Sequence, residues 1–294
     1  MFRCGLDLGG TKIEGIVLDA SGRILFRDRL ATQRDLGYEH ILGRVKSLYD
    51  QMVAQIEGAD HSLGIGTPGA ISPKTGLLKN SNTLCLNHKP LHQDLERCLQ
   101  HPIAIHNDAN CFAIAEALQG AGRGHELVFG VIMGTGCGGG IVYRGEVLAG
   151  RRAIAGEWGH SSIDPNGPQC WCGQRGCVET LISGGGLEQR YADRGGDRPP
   201  LTEIVQRYRQ GEPNAVAVMQ AFFRHFGRSL ANVINILDPD LVVLGGGVSN
   251  IDELYSLGVA AVANCVFSDG FETPSVQHQL GDSAGVIGAA LVGI

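Results

Sequence analysis

One histidine and three cysteines lie close together in the middle of the chain, in the pattern H-x9-C-x-C-G-x-x-G-C. They are His160, Cys170, Cys172 and Cys177. Imidazole and thiolate groups are the usual ligands of tetrahedral Zn²⁺, so this spacing predicts a zinc site. We expect the zinc to be structural and to hold a binding surface in place, since Glu157 lies one helical turn before His160. A catalytic zinc and four unrelated side chains are the alternatives.

Three polar residues bracket this zinc loop: Glu157, His160 and Glu179. Carboxylates accept pairs of hydrogen bonds from sugar hydroxyls. His160 can bind zinc through one ring nitrogen and donate its other N–H outward to a ligand. The pattern therefore favours a sugar-binding surface beside the zinc, although two ordinary surface glutamates would give the same sequence.

Two glycine turns follow predicted buried strands. The first comprises Gly9, Gly10, Thr11 and Lys12, and the second comprises Gly134, Thr135 and Gly136. Backbone N–H groups freed by adjacent glycines can surround phosphate oxygens, and Thr11 and Lys12 add side-chain donors. Asp7, at the end of the first strand, could hold Mg²⁺ through its water shell. Either turn alone is equally typical of an ordinary hairpin, and neither matches a Walker or Rossmann motif.

A third glycine turn comprises Gly245, Gly246 and Gly247 and ends the apolar run Leu241–Leu244. Consecutive glycines let a flat ring approach the backbone closely, which suits an adenine or a ribose. A tight turn between a strand and a helix would have the same sequence.

Asn107 and Asp108 follow a short predicted strand and open a predicted helix. The positive end of the helix dipole favours an ionised carboxylate there. An ionised and positioned aspartate can accept the proton of a hydroxyl nucleophile. A plain helix N-cap is the alternative for this pair, and the catalytic interpretation becomes preferable beside Glu157, Glu179 and the two glycine turns.

Apolar periodicity predicts an α/β fold with partly parallel sheets, in which a strand–glycine turn–strand unit occurs at residues 2–18 and again at 127–143. This repeat suggests two similar lobes facing each other across a cleft. Further predicted strands cover 63–65, 103–105 and 241–244, and predicted helices cover 37–57, 109–119 and 215–236. Residues 193–200 are predicted to form a polar surface loop.

Composition restricts the class of protein. With 43% hydrophobic and 18% charged residues, the 294-residue chain resembles an ordinary globular protein large enough for two lobes. A net charge of −6 argues against a nucleic-acid partner. Three of the nine cysteines belong to the predicted zinc loop and the other six are scattered, which fits a reducing cytoplasm better than a disulfide framework. We expect no targeting segment and no membrane span.

Six motifs together resemble the ROK (repressor, open reading frame, kinase) family of sugar kinases. They are D-L-G-G-T-K, N-D-A-N-C, G-T-G-C-G-G-G, G-E-W-G-H, C-W-C-G-Q-R-G-C-V-E-T and L-V-V-L-G-G-G. The resemblance implies a two-lobed actin-like and hexokinase-like ATPase fold with an interlobe cleft. It implies an N-terminal lobe of residues 1–118 plus 283–294, including a returning C-terminal helix at about 283–293, and a C-terminal lobe of 119–282.

The resemblance also assigns roles to residues. Asp108 is the implied base, and Asn107, Glu157, His160 and Glu179 are implied sugar ligands, with Asn82 (or Asn80) reaching the sugar from its loop. The first two glycine turns would hold the ATP phosphates and the third the adenosine. The implied reaction transfers the γ-phosphoryl group of ATP to the 6-hydroxyl of a hexose, with Mg²⁺ and structural Zn²⁺ as cofactors and a homodimer as the assembly.

Residues 69–76 and 79–82, followed by Leu86 and Asn87, resemble the bacterial fructokinase and mannokinase branch, which predicts fructose as the sugar. Glucose, mannose and N-acetylglucosamine are the alternatives. A sugar-responsive repressor without catalysis is a more distant one, because such proteins carry a DNA-binding domain before the first glycine turn and six residues precede Asp7 here.

Overall fold

The computed structural model describes residues 1–195 and 197–293. Its contacts divide the chain into two compact units. The first unit contains Met1–Gly120, Gly140–Ala155 and Leu280–Ile294, and the second contains Ala121–Gly139 and Gly156–Gln279. The predicted lobe boundaries at 118/119 and 282/283 stay a prediction. Residues 140–155, which we assigned to the C-terminal lobe, group with the first unit.

The part of the chain that the structure describes contains twelve β-strands and nine α-helices. The strands are β1 (Phe2–Leu8), β2 (Lys12–Leu18), β3 (Ile24–Ala31), β4 (His61–Thr67), β5 (Ala70–Ile71), β6 (Leu78–Lys79), β7 (Ala104–Asn107), β8 (Leu127–Met133), β9 (Cys137–Tyr143), β10 (Glu146–Val147), β11 (Leu241–Gly245) and β12 (Ser275–Gln277). The helices are α1 (Tyr38–Gln55), α2 (Leu91–Leu99), α3 (Asp108–Gln119), α4 (Val178–Ile182), α5 (Gly184–Ala192), α6 (Leu201–Arg209), α7 (Pro213–Leu237), α8 (Leu257–Ala263) and α9 (Ala284–Val292).

Each predicted strand and helix coincides with an element of the structure, with ends that differ by at most three residues. The mixed α/β class is therefore confirmed. The predicted surface loop at 193–200 includes Gly196, which lies outside the described residues. None of the described helices is both long enough and apolar enough to cross a membrane. All nine cysteines lie in the described part of the chain and are free thiols.

The main sheet of the first unit has the strand order β3-β2-β1-β4-β7. Strand β1 is antiparallel to β2 and parallel to β4, and β7 is parallel to β4. The register places Asp7 between Glu14 on β2 and Gly66 on β4. Because β1, β4 and β7 are parallel, their carboxyl ends, and hence Asp7 and Asn107, lie along the same edge of the sheet.

One face of this sheet is covered by α1. Its apolar residues recur at helical spacing and are buried, among them Ile41, Val45 and Leu48. At Gly15 on β2 a Cβ atom would lie 2.8 Å from the sulfur of Met52 and 2.9 Å from Leu48. The absence of a side chain at Gly15 therefore lets α1 pack directly on the strand.

The opposite face is covered by α9, whose backbone approaches the strands through glycines. A Cβ atom at Gly5 would lie 2.5 Å from the carbonyl oxygen of Val286. A Cβ atom at Gly64 would overlap the carbonyl oxygen of Ala289, and one at Gly288 would overlap that of Cys111 on α3. The helix is apolar around its whole circumference, as expected for a helix buried between the sheet and α3.

We expect Gly64→Ala to lower the free energy of unfolding by roughly 3 kcal/mol, because the α9 backbone at Ala289 must move away from the new methyl group. The matched control is Gly43→Ala. Gly43 is exposed on α1 and has no atom near its Cβ position, so alanine there should stabilise the protein by up to about 1 kcal/mol. Chemical denaturation of both variants measures the difference, and equal stabilities would contradict the close packing of α9.

The second unit combines strands β8, β11 and β12 with a group of helices around α7. Glu212 accepts hydrogen bonds from the backbone N–H groups of Asn214 and Ala215 at the start of α7, and Pro213 occupies its first turn. Phe222 and Phe226 are fully buried. Strand β11 is parallel to β8, with Gly245 opposite Ile132. The second and third glycine turns therefore leave the same edge of neighbouring strands.

Candidate functional site

The pair Asn107–Asp108 lies where β7 ends and α3 begins. The side-chain oxygen of Asn107 accepts a hydrogen bond from the backbone N–H of Asn110 at 2.8 Å, which makes Asn107 the N-cap. Asp108 is the first residue of the helix, and its Oδ1 accepts from the N–H of Ala109 at 2.8 Å. Both interpretations of the pair are therefore compatible, because Asn107 caps the helix and Asp108 is held at its positive end.

Asp7 lies at the end of β1, between two glycine positions. Its carboxylate oxygens are 3.4 Å from the Cβ position of Gly66 and 3.1 Å from that of Gly285, in the first turn of α9. Burial, followed by the charges of Asp108 and Glu14, raises the pKa of Asp7 to about 7. A partly buried carboxylate beside a second acid is a donor set suited to a hard divalent cation such as Mg²⁺.

The raised pKa makes Asp7 a source of pH-dependent instability. Between its unfolded value near 4 and its folded value near 7, the folded chain holds a proton that the unfolded chain has lost, so stability falls as the pH rises through this range. We expect Asp7→Asn to melt several degrees above the wild type at pH 8 and much closer to it at pH 5. Thermal unfolding without metal or nucleotide tests this, with the exposed Asp50→Asn as control. A difference independent of pH would contradict it.

The first glycine turn is a tight connection between β1 and β2. The N–H of Gly9 donates to the carbonyl oxygen of Lys12 at 2.9 Å. The hydroxyl of Thr32 donates to the carbonyl oxygen of Gly9 at 2.7 Å. The loop that carries Asn82 lies beside this turn, because a Cβ atom at Gly10 would be 3.1 Å from the Thr83 hydroxyl. Asn82 itself is exposed.

Lys12 has a partner that the sequence interpretation missed. Its ammonium group lies 3.4 Å from Glu14, which is 1% exposed and also pairs with Arg27 at 2.7 Å and Arg29 at 2.8 Å. Burial raises the pKa of Glu14, but hydrogen bonds from Arg29 and Arg27 outweigh it and hold the pKa below its usual value. The sequence signal that could have predicted this cluster is the charged residue Glu14 within the otherwise apolar strand Ile13–Leu18.

The four predicted zinc ligands lie together in the second unit, with all ligand atoms within 4.8 Å of one another. His160 Nδ1 is 3.6 Å from the sulfur of Cys170, and the sulfurs of Cys172 and Cys177 are 3.5 Å apart. Tetrahedral zinc with ordinary bond lengths separates such atoms by about 3.6–3.8 Å. The donor set and its spacing fit zinc, and Nδ1 is the His160 atom that lies beside Cys170.

Glu157 and His160 belong to one short turn. Trp158–His160 form a 3₁₀ helix whose first residue follows Glu157. Trp158 is buried and donates from its indole N–H to the carbonyl oxygen of Gly138 at 3.1 Å. The turn that presents Glu157 and His160 is therefore attached to the segment just after the second glycine turn.

Glu179, at the start of α4, uses both of its carboxylate oxygens inside the second unit. One accepts from the indole N–H of Trp171 at 2.8 Å, and the other accepts from the backbone N–H of Cys137 at 3.0 Å. Sequence reasoning predicted Glu179 as a sugar ligand but missed both contacts, because neither Trp171 nor Cys137 belongs to a ligand pattern.

The second and third glycine turns contact each other. Gly246 has φ of +78°, which favours glycine, and a Cβ atom there would overlap the carbonyl oxygen of Met133. At Gly134 and Gly247 nothing lies within 4 Å of the Cβ position. A cavity of about 180 Å³ opens beside the second turn, lined among others by Thr135, Gln169, Glu179, Ser183 and Arg190.

The first unit thus brings together Asp7, Asn107, Asp108 and the first glycine turn, with Asn82 on a loop beside that turn. The second unit brings together the zinc ligands, Glu157, Glu179 and the other two glycine turns. The ligand roles assigned to these residues stay predictions.

A family model described as "ROK family" matches residues 3–293. The chain belongs to the ROK family. An N-acetyl-D-glucosamine kinase of Pectobacterium atrosepticum is 38% identical to this ROK protein, over 98% of this chain and 97% of its own length. One from Pasteurella multocida is 37% identical over 98% of each chain. The ROK protein is accordingly an ATP-dependent sugar kinase.

Solved ROK structures agree with this assignment. The crystal structure of a ROK hexokinase from Thermus thermophilus has a TM-score of 0.90 and 32% identity, covering 99% of this chain and 97% of that one. A ROK glucokinase from Streptomyces griseus, in complex with glucose and AMPPNP, has a TM-score of 0.79 and 32% identity, covering 99% and 98%. The fold is therefore the two-lobed, actin-like ATPase fold.

The predicted likeness to fructokinases and mannokinases is not supported. The curated relatives named above are N-acetylglucosamine kinases, and they align over nearly the whole chain. The prediction relied on short stretches between residues 69 and 87, which are too small a part of the chain to decide the sugar.

Proposed function

We propose that this ROK kinase transfers the γ-phosphoryl group of ATP to the 6-hydroxyl of N-acetylglucosamine. The observation that carries the choice of sugar is the 37–38% identity to N-acetylglucosamine kinases over nearly the full chain. Fructose, which the sequence motifs between residues 69 and 87 favour, is the alternative, together with glucose and mannose.

Asp108 is the proposed general base. Its backbone is fixed at the first residue of α3, and one carboxylate oxygen is oriented by the N–H of Ala109. A carboxylate in this setting can accept the proton of the sugar hydroxyl while the hydroxyl oxygen of the sugar attacks the γ-phosphorus. The electron pair of the broken phosphoanhydride bond leaves on ADP.

Glu157, His160 Nε2 and Glu179 are proposed to bind the sugar hydroxyls, with Asn82 and Asn107 as further ligands. Zn²⁺ would be held by His160, Cys170, Cys172 and Cys177 and would fix this loop. Among the described residues, each oxygen of Glu179 has one hydrogen-bond partner, so each has capacity for a second hydrogen bond, which a sugar hydroxyl could supply.

The glycine turns are proposed to hold ATP. Backbone N–H groups at Gly9–Thr11 and Gly134–Gly136 would bind phosphate oxygens, and Gly245–Gly247 would lie against the adenosine. Lys12, already paired with Glu14, would also approach the phosphates. Asp7 would hold Mg²⁺ through water, and the bound ion would neutralise charge on the β- and γ-phosphates. A homodimer and a cytoplasmic location stay part of the proposal.

The test is ADP release with Mg-ATP against N-acetylglucosamine, fructose, mannose and glucose, at sugar concentrations that give kcat/KM for each. We expect the highest kcat/KM for N-acetylglucosamine. A higher value for another hexose would overturn the choice of sugar and leave the kinase reaction intact.

A further inference from the structure

Glu179 connects two parts of the second unit that have separate proposed ligands. Through Oε1 it accepts from Trp171 in the zinc loop, and through Oε2 it accepts from the backbone of Cys137, directly after the second glycine turn. The two hydrogen bonds are 2.8 and 3.0 Å long. A single carboxylate therefore joins the zinc loop to the turn proposed to hold ATP phosphates.

At the zinc end, the position of Trp171 depends on the metal ligands. Trp171 lies between Cys170 and Cys172, and its ring packs edge-on against the His160 ring with centroids 4.8 Å apart. The side chain is 64% exposed, and among the described residues the His160 ring and the Glu179 carboxylate orient it. Rearrangement of the ligands would move the indole N–H away from Glu179.

At the other end, Glu179 is packed tightly on the glycine turn. A Cβ atom at Gly136 would lie 2.6 Å from Glu179 Oε2, so glycine is needed there for this approach. Next to His160, the Cβ position of Gly159 overlaps the carbonyl oxygen of Cys137, and Trp158 donates to Gly138. The turn is thus held on both sides by segments that carry or adjoin zinc ligands.

We propose that Glu179 is a positioning residue that couples zinc binding to nucleotide binding. Zinc orders the loop, Trp171 orients the Glu179 carboxylate, and that carboxylate fixes the N–H of Cys137 and the backbone of the turn. The coupling rests on the proposed nucleotide site at Gly134–Gly136. Linkage makes it reciprocal: the factor by which zinc raises nucleotide affinity is the factor by which nucleotide raises zinc affinity.

The experiment measures the dissociation constant of Mg-ADP for zinc-loaded and chelator-treated protein by calorimetry, without sugar. For the wild type we expect zinc removal to weaken ADP binding by roughly 5- to 20-fold.

In Trp171→Phe, which keeps a ring against His160 but removes the N–H donor, the zinc-loaded protein should bind ADP several-fold more weakly, and its ADP affinity should depend little on zinc. Glu179→Gln, which cannot accept from both donors, should lose the same dependence. Gln174→Ala, an exposed change in the same loop, should behave as the wild type.

The reciprocal measurement does not involve activity. Zinc affinity, determined by competition with a chromophoric chelator, should rise with saturating ADP in the wild type and stay constant in Trp171→Phe. If Trp171→Phe and Glu179→Gln retain the wild-type dependence, the coupling through Glu179 is wrong while the nucleotide site stands. If zinc-loaded wild type does not bind ADP, the proposed nucleotide site fails and the coupling fails with it.

Discussion

Replacement of Asp108 by asparagine should lower kcat by roughly 10²- to 10⁴-fold while leaving the dissociation constant for the sugar within about threefold of the wild-type value. Asparagine keeps an oxygen that accepts from Ala109, and the N-cap belongs to Asn107, so α3 should start unchanged. The substitution therefore removes the proton acceptor and keeps the start of the helix.

Steady-state ADP release and calorimetric sugar titration measure the two quantities. Asp50→Asn, on the exposed side of α1, is the control for loss of one carboxylate, and its kcat should equal that of the wild type. If Asp108→Asn retained more than a tenth of wild-type kcat, Asp108 would not be the base. If it lost sugar binding instead, Asp108 would be chiefly a sugar ligand.

The second large effect concerns the zinc loop. Cys172→Ser should weaken sugar binding by roughly 10- to 100-fold, because loss of one ligand loosens the loop that positions Glu157, His160 and Glu179. Cys172 is the exposed member of the four ligands, so the substitution leaves the buried core intact. Zinc content should fall in parallel, as elemental analysis of the purified protein would record.

Cys265→Ser is the matched control, since Cys265 is also exposed and lies outside the ligand cluster. It should retain both zinc and sugar affinity. A Cys172→Ser protein that bound the sugar normally despite losing its zinc would separate the metal from the sugar site and refute the structural role.

The sequence was most informative where function depends on a few neighbouring residues. The spacing His160–Cys177 predicted a compact cluster, because a short glycine-containing loop can hardly keep its ligands apart. The order strand, Asn107–Asp108, helix fixed the place of the acid in the same local way. Apolar periodicity located the long helices α1 and α7, whose buried faces span several turns.

Side-chain pairing across the fold could not be predicted in this way. Whether Glu179 contacts a sugar, Trp171 or Cys137 depends on the path of the loop between residues 160 and 179, which no periodic pattern describes. Lys12 was predicted to face phosphates, yet its partner Glu14 is set by strand register and by Arg27 and Arg29 on the next strand. Short helices such as α2 and α6 carry too few turns for periodicity to stand out.

The packing of α9 on the first sheet also determines when that sheet can be completed during synthesis. Strands β1 to β4 and helix α1 leave the ribosome early, but the helix that covers their glycine-lined face starts only at Ala284. At translation rates of about 5–20 residues per second, the residues between 121 and 284 take on the order of 10 s to synthesise. During that interval the glycine-lined face of the nascent first unit lacks its covering helix. Chaperone binding to ribosome-bound chains should therefore persist until α9 has emerged.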